Sequence, residues 1–483
     1  MTSTSTSTIL LGRKKSMPRV LVLTTEPLPV PGLPATGAGL RAWGLAQGLR
    51  AAGLEVRLLM PRNAAASFAP AAPEAPREDW PEWVGTFDRA ALPDAVRRAR
   101  PDAIVLQHWG LARELGEVDC PLAIDLAGAH LLERRLWGSP AREQDLEEKL
   151  DALRRADFLT ASGEWQRLYF LPYLALAGWA VERPGVLPVI PFSFSAAPRP
   201  APVRADRLIY GGFFLPWQDP SRAIDTALEA LDRAGRGELV FIGGAHPHLD
   251  VSRGRFEALL GRLAGHPRVR LVAPLSFDRY LALLAEGGVA LDLMARNPER
   301  ELAYTTRTVV YLAQGLPVIH DNYSELGEVI RRGGAGWTLD PEDREALAGL
   351  LEGLLLGRID PAPQARAAHE LAQRELNWLT TTEPLVRFCR EPHFRAGKTA
   401  TRLAFEETGR RLRQTEGELR AARGQLETLR GKRWVRWGLA LGAGRSWLRW
   451  PAALLAGALG LLLIPVFLIN DLLAPKPARK PKP

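Results

Sequence analysis

The feature that most limits the fold is a set of short apolar runs that returns in two series along the chain. The first series holds RVLVL from Arg19, EVRLLMP from Glu55, AIVLQ from Ala103, PLAIDL from Pro121 and DFLTAS from Asp157. The second holds RLIYGGFF from Arg207, then ELVFIGG, VRLVAP, VALDLM and PVIHD. Runs this short and continuous, with no regular polar alternation, mark strands buried on both faces, as in a parallel sheet. Helical stretches lie between them, such as LRAWGLAQGLRAAG, which Gly53 closes. This order predicts two consecutive doubly wound, Rossmann-like α/β domains facing across a cleft. We place the first at 18–195 and the second at 203–392, joined near residues 191–202.

Composition narrows the class. A hydrophobic share of 46% and a charged share of 24% are ordinary globular values and exclude wholesale disorder or a collagen-like chain. Cys120 and Cys389 belong to no CxxC or Cys/His cluster, so neither a disulfide framework nor a structural zinc site is expected. The net charge of +9 is unevenly placed. Residues 391–483 hold eighteen Lys/Arg against seven Asp/Glu, which leaves the preceding chain near −2. A basic tail on a near-neutral body speaks for anionic lipid and against nucleic acid.

The chain ends carry their own signals. Residues 1–17 are of low complexity and are expected to be disordered, with an apolar piece too short for a signal sequence. Further on, Phe405, Leu412, Leu419 and Leu426 recur every seven residues, with Thr408, Thr415, Ala422 and Leu429 between them. This spacing predicts a coiled coil, or a single amphipathic helix, over 400–431. Trp434, Trp437, Trp447 and Trp450 then stand among arginines, before an uncharged run at 450–470. About twenty such residues cross a hydrocarbon core of roughly 30 Å as a helix, and Trp with Arg is interfacial chemistry. A transmembrane helix at 450–470 with a basic tail at 474–483 is expected; Pro465 leaves a re-entrant hairpin open. The expected location is the cytoplasmic membrane, with the two domains in the cytoplasm and the heptads supporting a homodimer.

Gly37 to Ala42 matches GxGxxA, but more than ten residues separate it from the first strand. The dinucleotide fingerprint requires those glycines immediately after the strand and an acid after the second strand, where Met60-Pro61-Arg62 stands. A nicotinamide enzyme is thereby disfavoured. A long Gly-rich loop instead leaves backbone N–H groups to face a ligand in the cleft, so Gly37 and Gly39 are assigned to a ligand-facing loop, which the resemblance below puts on the acceptor side.

Several segments, taken in order, resemble a known family. They are LAIDLAGAHLLERR, ADFLTASGEWQRLYFLPYLALAG, YGGFFLPWQDP, TRTVVYLAQGLPVI and GAGWTLDPED. Together with the two-domain order they look like bacterial GT-B glycosyltransferases of family four, the "group 1" family, and its surface-polysaccharide and O-antigen subgroup. The resemblance spans 18–388. It implies transfer of a sugar from a nucleotide-sugar donor, held by the second domain, to a lipid-linked or cell-surface polysaccharide acceptor. The nucleotide sugar is a substrate, and no separate cofactor is expected.

The resemblance also implies site residues. Gly212, Gly243 and Gly244 end two donor-domain strands, and Trp217 and Gln218 follow the first. The family's Glu-x7-Glu pair would fall at Leu302 and Val310; Glu301 or Glu299 can supply the first acid, and the second is absent. Thr306, Arg307 and Thr308 stand at the loop-to-helix junction, a pattern suited to a diphosphate. Arg307 is the expected contact. On the acceptor side, Asp125 or His130 is the expected general base, and Glu301 completes the catalytic set. No Asp-x-Asp pair occurs, so metal-independent chemistry is expected. Two other functions fit the same sequence: an inactive scaffold of this fold, to which the missing acid points, and a nucleotide-sugar 2-epimerase.

Overall fold

A computed structural model describes residues 17–64, 78–138, 143–198, 200–245, 255–398, 414–415 and 417–424. Two compact units divide the chain, 1–401 and 402–483. The first unit contains both expected domains.

The first domain runs β1 (Arg19–Leu23), α1 (Gly37–Ala51), β2 (Glu55–Pro61), β3 (Val84–Phe87), α2 (Leu92–Ala99), β4 (Ala103–Gln107) and α3 (Ala112–Leu115). It continues through β5 (Leu122–Leu126), α4 (His130–Leu136), α5 (Glu143–Arg155), β6 (Phe158–Ala161) and α6 (Glu164–Leu176). The second domain begins β7 (Arg207–Phe214), α7 (Ser221–Ala234), β8 (Glu238–Ala245), α8 (Arg255–Gly265), β9 (Val269–Val272) and α9 (Phe277–Leu284). Then follow β10 (Val289–Asp292), α10 (Pro298–Leu302), α11 (Thr306–Ala313), β11 (Val318–Asp321), α12 (Glu325–Gly333) and β12 (Gly336–Leu339). Four helices close the unit: α13 (Arg344–Leu355), α14 (Ala362–Glu375), α15 (Trp378–Thr381) and α16 (Glu383–Arg390).

Each domain has a six-stranded sheet, ordered β3-β2-β1-β4-β5-β6 and β12-β11-β10-β7-β8-β9. All the described pairings are parallel. Renumbered within its own domain, the second order is the first read backwards, so the two domains share one topology. The central strands β4 and β5 are buried along their whole length, as their apolar runs require. The strand order reverses between β1 and β4 in one sheet and between β7 and β10 in the other. Ligands of open parallel sheets sit beyond the carboxyl ends of the strands at such reversals.

Helix α1 turns a buried face, including Leu40, Leu45 and Leu49, toward the core. Burying side chains of this size contributes about 1.5–3 kcal/mol each. Thr36 caps its start, accepting from the Gly39 N–H at 3.2 Å. Gly39 is required by packing: a Cβ there would lie 1.9 Å from the Pro27 carbonyl oxygen.

The sequence limit at 392 differs from the spatial one. Helices α15 and α16 cross back onto the first domain, where Leu385, Val386, Phe388 and Cys389 join the core around α1. Phe388 stacks on Phe158 with centroids 4.7 Å apart. The following residues fasten there too. Arg395 donates its backbone N–H to Asp157 Oδ1 (2.9 Å) and its guanidinium to the Arg154, Ala156 and Gly178 carbonyls. Lys398 Nζ lies 2.6 Å from Asp157 Oδ2, a fully buried side chain. Asp157 precedes β6, so this clamp sits where the strands begin, at the end of the sheet away from the reversal.

In the second unit, residues 414–415 and 417–424 are helical and exposed. The remaining heptad positions and the run 450–470 lie outside the described residues. Among the described residues no helix is long and apolar enough to cross a membrane.

Candidate functional site

A cleft of about 600 Å³ opens over both strand-order reversals, lined by the two domains. The ends of β1 and β4 bring Glu26, Gln107 and His108 to it; the end of β7 brings Gly211 and Gly212.

On the second domain's side, α11 starts with its N-terminus in the cleft. Thr306 lines it, and a Cβ on Gly37 would lie 3.0 Å from Thr306 Oγ1, so the starts of α1 and α11 face each other closely. Two helix N-termini meeting at one point concentrate free N–H groups and partial positive charge. Arg307 lines the same place. Its Nη1 donates to the Tyr210 hydroxyl at 3.1 Å, its Nη2 donates to Gln218 Oε1, and its Nε lies 3.8 Å from Asp292 Oδ1. Burial would raise the Asp292 carboxyl, but Arg307, His320 and the Thr308 hydroxyl together hold it below its ordinary value. Arg307 therefore has a fixed counter-charge beneath it and a cleft above.

The donor-side expectations divide. Trp217, Gln218, Gly212, Gly243, Thr306 and Arg307 line the cleft. Gly212 has a different reason from the expected one, because its missing Cβ would lie 2.3 Å from Arg307 Nη1. The glycine makes room for the guanidinium. Gly243 approaches the Gly212 carbonyl, where a Cβ would lie 1.9 Å away. Gly244 is not among the lining residues. Thr308 is corrected: fully buried, it gives its hydroxyl to Asp292 Oδ2 beneath the cleft. Glu301 is corrected too, since it pairs with Arg296 at 2.8 Å outside the cleft. Glu299 takes its place on the lining. Asn297 caps α10, accepting from the Glu299 and Arg300 N–H groups at 3.1 Å, and so turns Glu299 inward. Glu299 pairs with Arg300 through two bonds of 2.7 and 2.9 Å, and burial raises its carboxyl in spite of that partner.

On the first domain's side, Asp125 is held in a buried ion pair. Both its oxygens are used by Arg41, from Nε at 2.9 Å and Nη2 at 2.8 Å, and Thr160 donates to Oδ1 at 2.7 Å. Arg41 Nη1 further donates to the Pro191 carbonyl. Asp125 is not among the residues that line the cleft. Gly39 serves the α1 packing already described, whereas Gly37 lines the cleft. His130 begins α4 and does line the cleft, with its ring 5.7 Å from that of His108 and its Nδ1 3.7 Å from Glu133 Oε2.

Three further residues of the first domain line the cleft. Glu26, just past β1, has its carboxyl raised to about 7 by burial, against the opposing pull of Arg89 and a bond to Thr36. Glu133 faces His130 from the next turn of α4. His108 carries the left-handed φ of +88° that is uncommon outside glycine and costs backbone energy. Its Nδ1 accepts the Gly110 N–H at 3.0 Å, and burial, with His130 and Lys149 nearby, lowers its imidazole to about 3. The available signal was position: each acid or imidazole follows a strand at the reversal or opens the next helix.

The domains also touch beside the cleft. Glu325 of α12 accepts the Glu164 and Trp165 N–H groups at 2.9 Å each, capping α6 of the other domain, and Gln166 Nε2 donates to the Leu302 carbonyl at 3.1 Å. Among the described residues no three His, Cys, Asp or Glu side chains are grouped to hold a metal ion.

No protein-family model matches the sequence, and no curated protein matches it. Solved structures do. Sucrose-phosphate synthase from Thermosynechococcus elongatus aligns over 77% of this chain and 98% of its own, with a TM-score of 0.58 at 16% identity. Anabaena HepE, in complex with UDP and glucose, aligns over 77% of this chain and all of its own (TM-score 0.55, 15% identity). The chain has the GT-B fold. The pneumococcal O-GlcNAc transferase GtfA, in complex with UDP and GlcNAc, agrees at 9% identity and a TM-score of 0.53, over 77% of this chain and 99% of its own. In this GT-B chain the matched share is about the size of the first compact unit, the one that holds the cleft.

Proposed function

We propose that this chain is a nucleotide-sugar-dependent glycosyltransferase, working without a metal ion and tethered to the cytoplasmic membrane by residues 450–470. The observation that carries the reading is the meeting of the α1 and α11 starts beside Arg307, opposite a polar first-domain wall. Free N–H groups and a guanidinium at one point suit a diphosphate, and they stabilise the charge that grows on it as the glycosidic phosphate bond breaks. Several neighbours of the same fold were solved with UDP or a UDP-sugar, which supports a nucleotide donor. The uncharged run and its flanking Trp and Arg support the tether, and the heptads at 400–431 support pairing of two chains. A surface-polysaccharide or lipid-linked acceptor follows from the family-four resemblance and from the tether.

The scaffold reading has its own support: Val310 replaces the second family acid, and the Tyr311 hydroxyl accepts the Gly211 N–H at 2.7 Å, an amide a ligand could otherwise use.

The test is a panel of UDP-, GDP- and dTDP-sugars offered to the detergent-solubilised full chain with EDTA present. Binding and slow nucleotide release from one donor are expected, both weakened at least tenfold by Arg307→Ala. Binding without release, even with membrane extract as acceptor source, would favour the scaffold. An epimerised sugar nucleotide in place of free nucleotide would favour the epimerase, and no binding at all would remove the proposal.

A further inference from the structure

The first domain's wall of the cleft has a chemistry distinct from the donor wall. Besides the hydroxyls of Thr25, Thr36 and Ser162, its polar residues include Glu26, Gln107, His108, His130, Glu133 and Gln166. Two are carboxyls, two are amides and two are imidazoles. The only first-domain arginine on the lining, Arg41, spends its guanidinium on Asp125 and the Pro191 carbonyl. The nearest lysine is walled off: Lys149 is fully buried, with Nζ 4.1 Å from the Tyr173 ring centroid, 4.8 Å from that of Phe170 and 6.0 Å from that of Trp109. Among the described lining residues, the first domain thus offers no unpaired guanidinium or ammonium. A wall without an unpaired cation gives phosphate no charged partner, whereas carboxyls, amides, hydroxyls and imidazoles are hydroxyl-binding groups.

Taking this wall as the acceptor side of the cleft, we propose that it selects an uncharged or amino sugar through its hydroxyl or amino groups, and that Glu26 is the specificity-determining residue that accepts from an acceptor hydroxyl. The inference rests on the transferase reading and narrows it. Glu26 suits the role by position, because it follows β1 at the strand-order reversal and is tied through Thr36 to the start of α1, which faces Thr306. The strained His108 stands at the end of the neighbouring strand β4. Backbone strain of this kind persists where the surrounding structure fixes it and is concentrated at ligand sites.

The consequence for the reaction sequence is specific. If the acceptor is lipid-linked, its phosphate lies outside the pocket and at least one sugar already stands between phosphate and reacting hydroxyl. The chain then extends a glycan that an earlier transferase has begun, instead of loading the first sugar onto a carrier phosphate.

The test uses the full chain in detergent with the donor found by the panel above. Methyl glycosides of glucose, galactose, mannose and glucosamine are compared with their 6-phosphates and with a short polyprenyl phosphate, reading nucleotide release above the water background. At least one uncharged or amino glycoside should stimulate release tenfold more than its phosphate, and polyprenyl phosphate should not serve. Glu26→Gln should raise the KM for that glycoside at least tenfold, with donor Kd within twofold and a thermal midpoint at pH 6 no lower than the parent's, because burial disfavours this carboxylate; Glu26→Asp should recover part of the loss. Equal or better use of a phosphorylated acceptor, transfer to polyprenyl phosphate, a panel with no active glycoside, or an unaltered KM in Glu26→Gln would each overturn the inference. Failure to bind any donor would instead sink the transferase reading itself.

Discussion

Asp125 gives the sharpest contrast between two roles for one residue. At the end of β5 it has the position of a general base, yet its carboxylate is bonded twice by Arg41 and once by Thr160, with both charged side chains under 5% exposed. Asp125→Asn keeps the shape and removes the charge, leaving the Arg41 guanidinium buried without a counter-ion. Breaking one side of such a pair costs about 3–5 kcal/mol. For a domain of this size, each kcal/mol moves the midpoint by roughly 2–4 °C, so a fall of roughly 6–20 °C is expected. Replacing both partners, as Arg41→Met with Asp125→Leu, removes the charge and the unmet need together and should recover most of the loss. Calorimetry of the two single variants and the double variant measures the cycle, and nucleotide release at a temperature where all are folded measures function. The structural role predicts a large midpoint shift with turnover within a fewfold of the parent. A shift under about 2 °C with turnover abolished would refute the argument and return Asp125 to the role of base.

Three further outcomes follow from distances already given. Gly212→Ala places a Cβ 2.3 Å from Arg307 Nη1, so the guanidinium must leave Tyr210 and Gln218; donor affinity should fall at least tenfold by titration calorimetry, with a cost of about 1–3 kcal/mol in stability. Lys149, whose ammonium is pushed down to about 7 mainly by burial, binds fewer protons folded than unfolded between pH 7 and 10.5. Stability should therefore rise with pH across that window, and Lys149→Met should flatten the rise and raise the urea midpoint at pH 6. Glu325→Ala removes the carboxylate that caps α6 across the domain boundary; a loss of about 1 kcal/mol is expected, together with faster amide exchange at Glu164 and Trp165, and unaltered exchange there would count against the cap.

Sequence patterns disclosed the central strands because parallel strands buried on both faces leave continuous apolar runs. Edge strands β3 and β12 escaped. VGTF contains a glycine and only four residues, and GWTL is half-buried throughout, so neither had to be apolar along its length. Arg307 stands out in the sequence because it belongs to a polar cluster, Thr305 to Thr308, that opens a helix in the second domain. Asp125 misled because nothing local announces Arg41, 84 residues earlier in the chain. Glu301 was preferred to Glu299 on spacing, whereas the Asn297 cap sets which of the two faces inward. Glu26 and Asp292 look like any acid at a strand end until the second sheet is in place.

The fastening of residues 395–398 onto Asp157 has a mechanical meaning. Any pull applied through residues 399–483 enters the molecule at the first domain, through a guanidinium spread over three carbonyls and an ammonium on a buried carboxylate. That point lies at the strand-starting end, so the load path bypasses the mouth where α1 and α11 meet. The second domain holds no part of this clamp and meets the first beside the cleft through Glu325 and the Leu302 carbonyl.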